Sequence, residues 1–309
     1  MDVSVILCTY NRAALLRRVL EQLVGQSTAA ELAWEVLVVD NNSKDDTGAV
    51  AEEFVRRFPG RFRAARETRQ GKSWALNSAL DLAAGKILAF TDDDVELDSR
   101  WLQELVRPFS DPACMGVGGR IVPLFNQGQP RWLSGSLSAE LRAPLVAFDL
   151  GDAPLPLKLA PYGANMAFRR EMFQRHGRFR TDIGPSGNNV VKGEDVELAQ
   201  RMLDAGEPFV YAPAALVRHP VEPMRQRRQY FLRWWFEYGR TEAKVEDGGA
   251  AVATVFGVPR YLLPLVCGAA ARALLSRDEK DRLSHAARAA RFCGCAAAAR
   301  ERRASRPSA

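Results

Sequence analysis

Asp92, Asp93 and Asp94 stand side by side in the chain, and three adjacent carboxylates repel one another. They are tolerated only in solvent or around a cation, and their hard oxygens favour Mg²⁺ or Mn²⁺. A divalent ion held there would in turn hold a diphosphate. The triplet follows an apolar run, Ile87-Leu-Ala-Phe90, with the length and bounding of a buried strand, so the carboxylates emerge at its C-terminal end. Open α/β sheets take their ligands at that edge. The other reading of such a triplet is a solvated turn and helix N-cap.

Further polar groups occur at comparable positions. Gly71-Lys72-Ser73 precedes a helix marked by Trp74, Leu76, Leu80 and Leu82. It is not a Walker A loop, because no glycine lies five residues before Gly71, and its place at a helix N-terminus is what supports anion contact. Asp40 ends the apolar run Trp34-Glu-Val-Leu-Val-Val39, where a carboxylate suits ribose or base recognition, or satisfies the amides of its own turn. Glu194-Asp195 opens a helix with Leu198, Met202 and Leu203 on one face, and acids in a first turn are also favoured by the helix dipole alone.

The elements that must position these groups alternate. Val3–Cys8 is a strand and Thr9–Arg12 a turn, with Asn11 the expected N-cap of a helix carrying Leu15, Leu16, Val19, Leu20 and Leu23. The Trp34 strand, a helix with Val50, Phe54 and Val55, a strand at 62–65, the Trp74 helix and the Ile87 strand follow. This alternation predicts a doubly wound, mostly parallel sheet. The G-x-G-x-x-G fingerprint of dinucleotide enzymes is missing from the first turn, which lowers a dehydrogenase reading. Further on, Met115–Val122 is a glycine-rich strand whose missing side chains mark a close approach of backbone or ligand. The loop-like stretch Phe125–Pro161 is an expected acceptor contact, or a variable surface insertion.

Composition bounds the chemistry. The 309 residues are 47% hydrophobic and 26% charged, room for one large α/β domain and an appendage. Five scattered cysteines and three histidines argue against a disulfide framework or a zinc site and fit a reducing compartment. No signal peptide is expected, since the apolar N-terminus begins with Asp2 and leads directly into a strand. The net charge of +6 is uneven: residues 1–217 carry 25 Lys and Arg against 28 Asp and Glu, and residues 218–309 carry 18 against 9. A basic C-terminal part suits an anionic membrane surface or nucleic acid, or is a solvated helical face.

Four ordered motifs, Val5-Ile-Leu-Cys-Thr-Tyr-Asn-Arg12, Val38-Val-Asp-Asn-Asn-Ser43, Gly71-Lys-Ser-Trp-Ala-Leu-Asn77 and Phe90-Thr-Asp-Asp-Asp94, resemble the inverting family 2 glycosyltransferases of the GT-A fold. The resemblance spans about ninety residues and is carried by their order and spacing. It implies a Rossmann-like, doubly wound, mostly parallel sheet with nucleotide-sugar contacts from Thr9, Tyr10, Asn11, Arg12, Asp40, Asn42, Gly71, Lys72 and Asn77. Asp92 then lies near ribose and diphosphate, Asp94 is the metal-ligating end of the D-x-D motif, and Asp93 shares the metal or caps the next helix. Pro161–Phe168 resembles the family's strand beneath the acceptor, with Gly163 and Asn165 facing it. Asp195 matches the general base, with Glu194 orienting the acceptor or supporting the loop. That role suits the chemistry, because attack opposite the departing diphosphate needs a carboxylate to take the acceptor's proton. His219, after the last strand, joins Asp92 and Asp94 as metal ligand.

The expected organisation is a transferase domain over 1–220, divided into a nucleotide half (1–95) and an acceptor half (96–220). A basic, aromatic and apolar helical region (221–298) and a disordered tail (299–309) follow. Arg225, Arg227, Arg228 and Arg233 interleave with Tyr230, Phe231, Trp234, Trp235 and Phe236, on a helix that closes over the diphosphate or sits against a bilayer. Apolar runs at 250–258 and 261–271 are interrupted by Pro259 and Pro264 and fall short of the about 20 residues a spanning helix needs. They suit an interfacial segment, with Arg272, Arg277, Lys280, Arg282, Arg288 and Arg291 facing anionic headgroups. The expectation is a cytoplasmic enzyme, peripheral on the inner membrane face. It moves a sugar, UDP-linked by preference, to a hydroxyl of a glycan or lipid-linked acceptor with Mg²⁺ or Mn²⁺, and has no nucleic-acid partner. A sugar-phosphate nucleotidyltransferase and a non-catalytic membrane or nucleic-acid binder are the competing readings.

Overall fold

The computed structural model describes residues 1–185, 193–245, 253–255 and 258–304. Its N-terminal part is a βα repeat: β1 (Val3–Thr9), α1 (Ala13–Val24), β2 (Trp34–Asp40), α2 (Thr47–Arg57), β3 (Phe62–Arg66), α3 (Lys72–Leu82) and β4 (Ile87–Thr91). The strands lie in the order β3-β2-β1-β4, all parallel. Val3–Leu7 and Trp34–Val39 are buried throughout, as continuous apolar runs must be when helices cover both faces of a parallel sheet. The register pairs Thr9 with Asp40 and Leu7 with Thr91, so Thr9, Asp40 and the aspartates after Thr91 share one edge.

Helix α1 starts differently from the sequence expectation. Asn11 does not cap it; its backbone takes the left-handed conformation (φ 52°), and its Oδ1 accepts the Lys44 N–H at 2.7 Å. The N–H of Arg12 donates to Thr47 Oγ1 (2.9 Å) and that of Ala13 to Asp45 Oδ2 (3.3 Å). The orphan donors of one helix are thus satisfied from the turn that opens the next.

The chain continues through β5 (Glu96–Leu97), α4 (Trp101–Val106), β6 (Gly116–Leu124), α5 (Ala139–Arg142), β7 (Leu155–Pro156), β8 (Asn165–Arg169), α6 (Glu171–His176), α7 (Glu194–Asp204) and β9 (Phe209–Pro220). β8 pairs antiparallel with β4 and β6, β6 runs parallel to β9, and the full order is β3-β2-β1-β4-β8-β6-β9-β5 with β7 on β9. This mixed, mostly parallel sheet is the GT-A architecture expected. The glycines of β6 make room for side chains of neighbouring strands and not for a ligand. A Cβ on Gly116 would lie 2.6 Å from the Phe209 ring, and one on Gly119 would overlap the Asn165 amide.

The chain forms two compact units: Met1–Leu124 with Val146–Asn189 and Glu194–Pro220, and Phe125–Leu145 with Val190–Gly193 and Val221–Ala309. The stretch 125–145, expected in the acceptor half, therefore groups with the C-terminal helices α8 (Arg228–Val245), α9 (Leu262–Leu275) and α10 (Glu279–Ala304). The reason is local. Trp235 Nε1 donates to the Glu140 carbonyl (2.8 Å), Arg288 pairs with the Glu140 carboxylate (2.6 Å), and Trp132 packs edge-on against Phe231. Phe231 and Trp235, expected over diphosphate or bilayer, are buried within this second unit.

α8 and α10 cross with almost no separation. A Cβ on Gly239 would overlap the Arg291 carbonyl, and one on Gly294 the Phe236 carbonyl. α10 also runs to Ala304, past the expected start of disorder at 299, because Arg240 grips Glu301 through two 2.9 Å contacts and Arg302 donates to the Ala243 carbonyl (2.6 Å). Residues 305–309, and most of the apolar run 250–258, lie outside the described residues; Thr254–Val255 and Val258–Pro259 pair as a short hairpin. Among the described residues no helix is long and apolar enough to cross a membrane.

Gly294→Val places a branched side chain against a backbone that cannot retreat, so the variant is expected to lose about 1–3 kcal/mol of stability. Urea unfolding checks it against Cys293→Val at the adjacent, exposed position, which should change little.

Candidate active site

The three aspartates meet three different environments. Lys72 Nζ lies 2.6 Å from Asp92 Oδ1. Asp93 is buried and accepts from Thr9 Oγ1 (2.7 Å) and Arg12 Nη1 (2.7 Å). Asp94 accepts from the same Arg12 nitrogen at 2.9 Å and stands 3.8 Å from His219 Nε2. Burial pushes the Asp93 carboxyl up to about 6 against the pull of Arg12, and the adjacent Asp94 charge adds to the rise. Asp93 does not cap a helix: it ties β4 to the β1 turn, the element after it is β5, and Arg100 occupies the N-cap position of α4.

Lys72 also faces Glu194, whose carboxylate lies 4.0 Å from Nζ at the first turn of α7. Burial, then the neighbouring Asp195 charge, raise Glu194 to about 7, and Lys72 opposes them. Burial works to lower the Lys72 ammonium, yet Asp92, Glu194 and Asp195 together carry it well above its ordinary value. Asp195 Oδ2 accepts the Gly163 N–H at 2.6 Å and Oδ1 the Val196 N–H at 2.9 Å. A Cβ on Gly163 would lie 2.9 Å from Asp195 Oδ2, so the absence of a side chain there lets the carboxylate approach the backbone.

Around this centre the expected nucleotide residues divide. Tyr10 is exposed, and Asp40 Oδ1 accepts the Ser43 N–H at 3.0 Å. Asn42 is in the left-handed region (φ 63°), with Oδ1 accepting from Arg66 (3.1 Å). Asn77 does not face this edge: Nδ2 donates to the Phe179 carbonyl (2.9 Å) and Oδ1 accepts the Phe179 N–H (3.1 Å). Asn165 is no acceptor contact either, being fully buried. Its Oδ1 accepts from Trp101 Nε1 (2.8 Å), and its Nδ2 donates to the carbonyls of Arg120 (2.9 Å) and Ala215 (2.8 Å).

Two positioning residues escaped the sequence reading. Asn41 extends the β2 ladder through its N–H to the Thr9 carbonyl (2.8 Å), accepts the Gly71 N–H (2.8 Å) and donates to the Arg69 carbonyl (2.7 Å), fixing the loop before Lys72. Glu67 clamps the same loop: Arg69, bonded at 2.9 and 2.7 Å, holds its carboxyl down at about 2 despite burial, with Ser78 as a further partner. The signal was present as polar residues directly after β2 and β3, but nothing in it separates them from an ordinary turn.

Among the described residues no group of three or more His, Cys, Asp or Glu side chains could hold a metal ion. Asp92 pairs with Lys72 and does not join Asp94 and His219, so the expected three-ligand set is reduced to two. That remainder still fits a hard divalent ion. Mg²⁺ and Mn²⁺ prefer oxygen ligands, and such sites use one or two carboxylates together with substrate phosphates and water, so Asp94 would be the anchoring ligand and His219 would complete the pair.

A parallel half with cations and carboxylates along its C-terminal edge, continued by an antiparallel segment carrying a helix-borne carboxylate, is the arrangement expected of a GT-A glycosyltransferase. Residues 4–177, more than half of the chain, match the family described as Glycosyl transferase family 2, and the chain belongs to it. That membership sets aside the nucleotidyltransferase and non-catalytic readings. Among relatives, it is 27% identical over 243 residues to the glycosyltransferase AglE of Haloferax volcanii, covering 79% of this chain and 73% of that one. It is 24% identical over 253 residues to the glucosyl-dolichyl phosphate glucuronosyltransferase of the same organism, covering 78% and 76%. Its fold resembles the mannosyltransferase PcManGT of Pyrobaculum calidifontis, solved with GDP-Man and Mn²⁺ (TM-score 0.57, 21% identity, all of this chain and 76% of that one).

The raised Glu194 carboxyl carries a stability prediction. Between about pH 4.5 and 7 the folded protein keeps a proton that the unfolded chain has released, so this group makes the wild type lose stability as pH rises through that window. Glu194→Gln removes the titration. It is expected to gain on the wild type by on the order of 1–3 kcal/mol between pH 4 and pH 8, read by urea unfolding; a pH-independent difference would contradict it.

Proposed function

We propose that this glycosyltransferase moves a sugar from a nucleotide-diphosphate donor to a hydroxyl of a glycan or lipid-linked acceptor, with inversion and with Asp195 as general base. The observation that carries the proposal is the Asp195 carboxylate, held at the start of α7 by the Gly163 N–H, in the same cluster as the Lys72–Asp92 pair. The acceptor oxygen bonds to the anomeric carbon, the bond from that carbon to the diphosphate breaks, and the acceptor proton passes to Asp195. Glu194 supports the loop and tunes Lys72. A UDP-sugar is the first donor to test. The glucosyl-dolichyl phosphate substrate in one relative's name supports a lipid-linked saccharide as acceptor.

On the donor side, Asp40 and Asn42 meet the base and ribose, and Thr9, Tyr10, Asn11, Arg12 and Gly71 line the nucleotide. Lys72 and Asp92 lie at the diphosphate, and Asn77 acts through Phe179 as a positioning residue. Asp94 and His219 would hold Mg²⁺ or Mn²⁺, which when bound supplies Lewis-acid stabilisation of the leaving diphosphate. The Mn²⁺ present with PcManGT supports that reading.

Asp195→Asn removes the proton acceptor without touching the proposed donor contacts. Transfer should fall by roughly 10²–10⁴ while donor affinity stays within a few-fold. Calorimetry with donor and transfer assays on the same preparations separate the two effects. Near wild-type transfer would reduce Asp195 to a helix-capping acid.

Membrane attachment on an anionic inner face belongs to the same proposal. In α9, Leu263, Leu265, Leu274 and Leu275 are exposed, the last two 87% and 81%, with Arg272 and Arg277 beside them. Apolar insertion with basic flanks is how an interfacial helix binds. Leu274→Glu with Leu275→Glu should abolish most co-sedimentation with anionic vesicles and leave solution activity on a soluble acceptor unchanged; retained co-sedimentation would move the contact off α9.

A further inference from the structure

We infer that Arg12 is the internal counter-cation of Asp93 and Asp94 when no donor is bound, and that a divalent ion reaches Asp94 by taking that carboxylate from Arg12. The inference rests on the proposed role of Asp94 as a metal ligand and concerns what must happen before it can act. One nitrogen, Arg12 Nη1, bridges both carboxylates, at 2.7 Å to Asp93 Oδ1 and 2.9 Å to Asp94 Oδ2. The two halves of this bridge are not equivalent. The Asp93 side chain is 5% exposed and is also held by the buried Thr9 hydroxyl, whereas Asp94 is 21% and Arg12 41% exposed. The inner contact is locked by its surroundings, and the outer one faces solvent, where ions arrive.

A guanidinium and a divalent ion on one carboxylate repel each other strongly at such separations. Each therefore weakens the other's hold, and by linkage the antagonism is reciprocal. When the outer contact opens, Arg12 stays anchored on Asp93. The N–H that had faced Asp94 is released for an anion, at the edge where the donor diphosphate is placed. A guanidinium can do this because it carries five donors in a fixed fork. Lys72 pairs with Asp92 and also faces Glu194, whereas Arg12 stands on Asp94, the expected metal ligand.

The test is Mn²⁺ binding to the full chain without donor, followed by electron paramagnetic resonance at constant ionic strength, for the wild type, Arg12→Gln and Arg12→Lys. Arg12→Gln should tighten Mn²⁺ about tenfold, and Arg12→Lys, which keeps the charge, should stay within about threefold of the wild type. Unchanged or weaker binding by Arg12→Gln overturns the competition. Should that variant fail to fold, Mg²⁺ titration of the ¹⁵N-arginine-labelled wild type gives the same answer. The Arg12 side-chain resonance must shift with Mg²⁺ saturation, and a resonance that does not move overturns the inference. Asp94→Asn separates the two levels. If it leaves Mn²⁺ binding intact, the ion is not on Asp94 and the underlying reading falls with the inference. If it abolishes binding while Arg12→Gln has no effect, only the competition falls.

Discussion

Like charge at the end of β4 is the constraint on which the rest of this site depends. Three consecutive carboxylates cannot be packed together at the C-terminal edge of a sheet without cations, and the chain brings those cations from two other βα turns. Arg12 comes from the turn after β1 and Lys72 from the turn after β3. Each cation then needs a fixed backbone behind it. Arg12 has its N–H on Thr47, and the loop before Lys72 is fastened by Asn41 and Glu67. The parallel half of the sheet is in this sense built outward from a charge-balance requirement.

The same logic extends to α7. Glu194 is buried beside Asp195, and two adjacent acids in a low-dielectric environment would be unfavourable without Lys72 nearby. One lysine therefore serves the aspartate after β4 and the acid pair of α7. It couples the end of β4 and the start of α7 electrostatically.

Much of the fold was legible in the sequence, because strands covered on both faces must be nearly continuous apolar runs, and β1, β2 and β4 are, apart from Ser4 and Glu35, which are buried and bonded to each other. The edge on which the polar groups gather was legible for the same reason. What was not legible is which motif residues face the edge and which turn inward. Asn77 and Asn165 sit in motifs read as ligand-facing, yet their amides are committed to Phe179 and to Trp101, Arg120 and Ala215, partners 45 to 102 residues away. The triplet carried no mark that its middle member is buried, since that depends on Thr9 and Arg12 arriving from β1. The end of α10 was misjudged because its composition is that of a polar tail, and the contacts of Glu301 with Arg240 and of Arg302 with Ala243 are not legible in it.

The capping of α1 by Asp45 and Thr47 has a consequence for the order in which the protein assembles. Asn11 and Arg12 take their backbone geometry from groups that follow them by more than thirty residues. A nascent chain emerging at about 5–20 residues per second has nothing to hold that turn until the second βα unit has left the ribosome. The turn after β1 is therefore among the first segments synthesised and not among the first to acquire its shape. Its final form waits on β2 pairing with β1, so correct docking of the second strand is a precondition for a competent site.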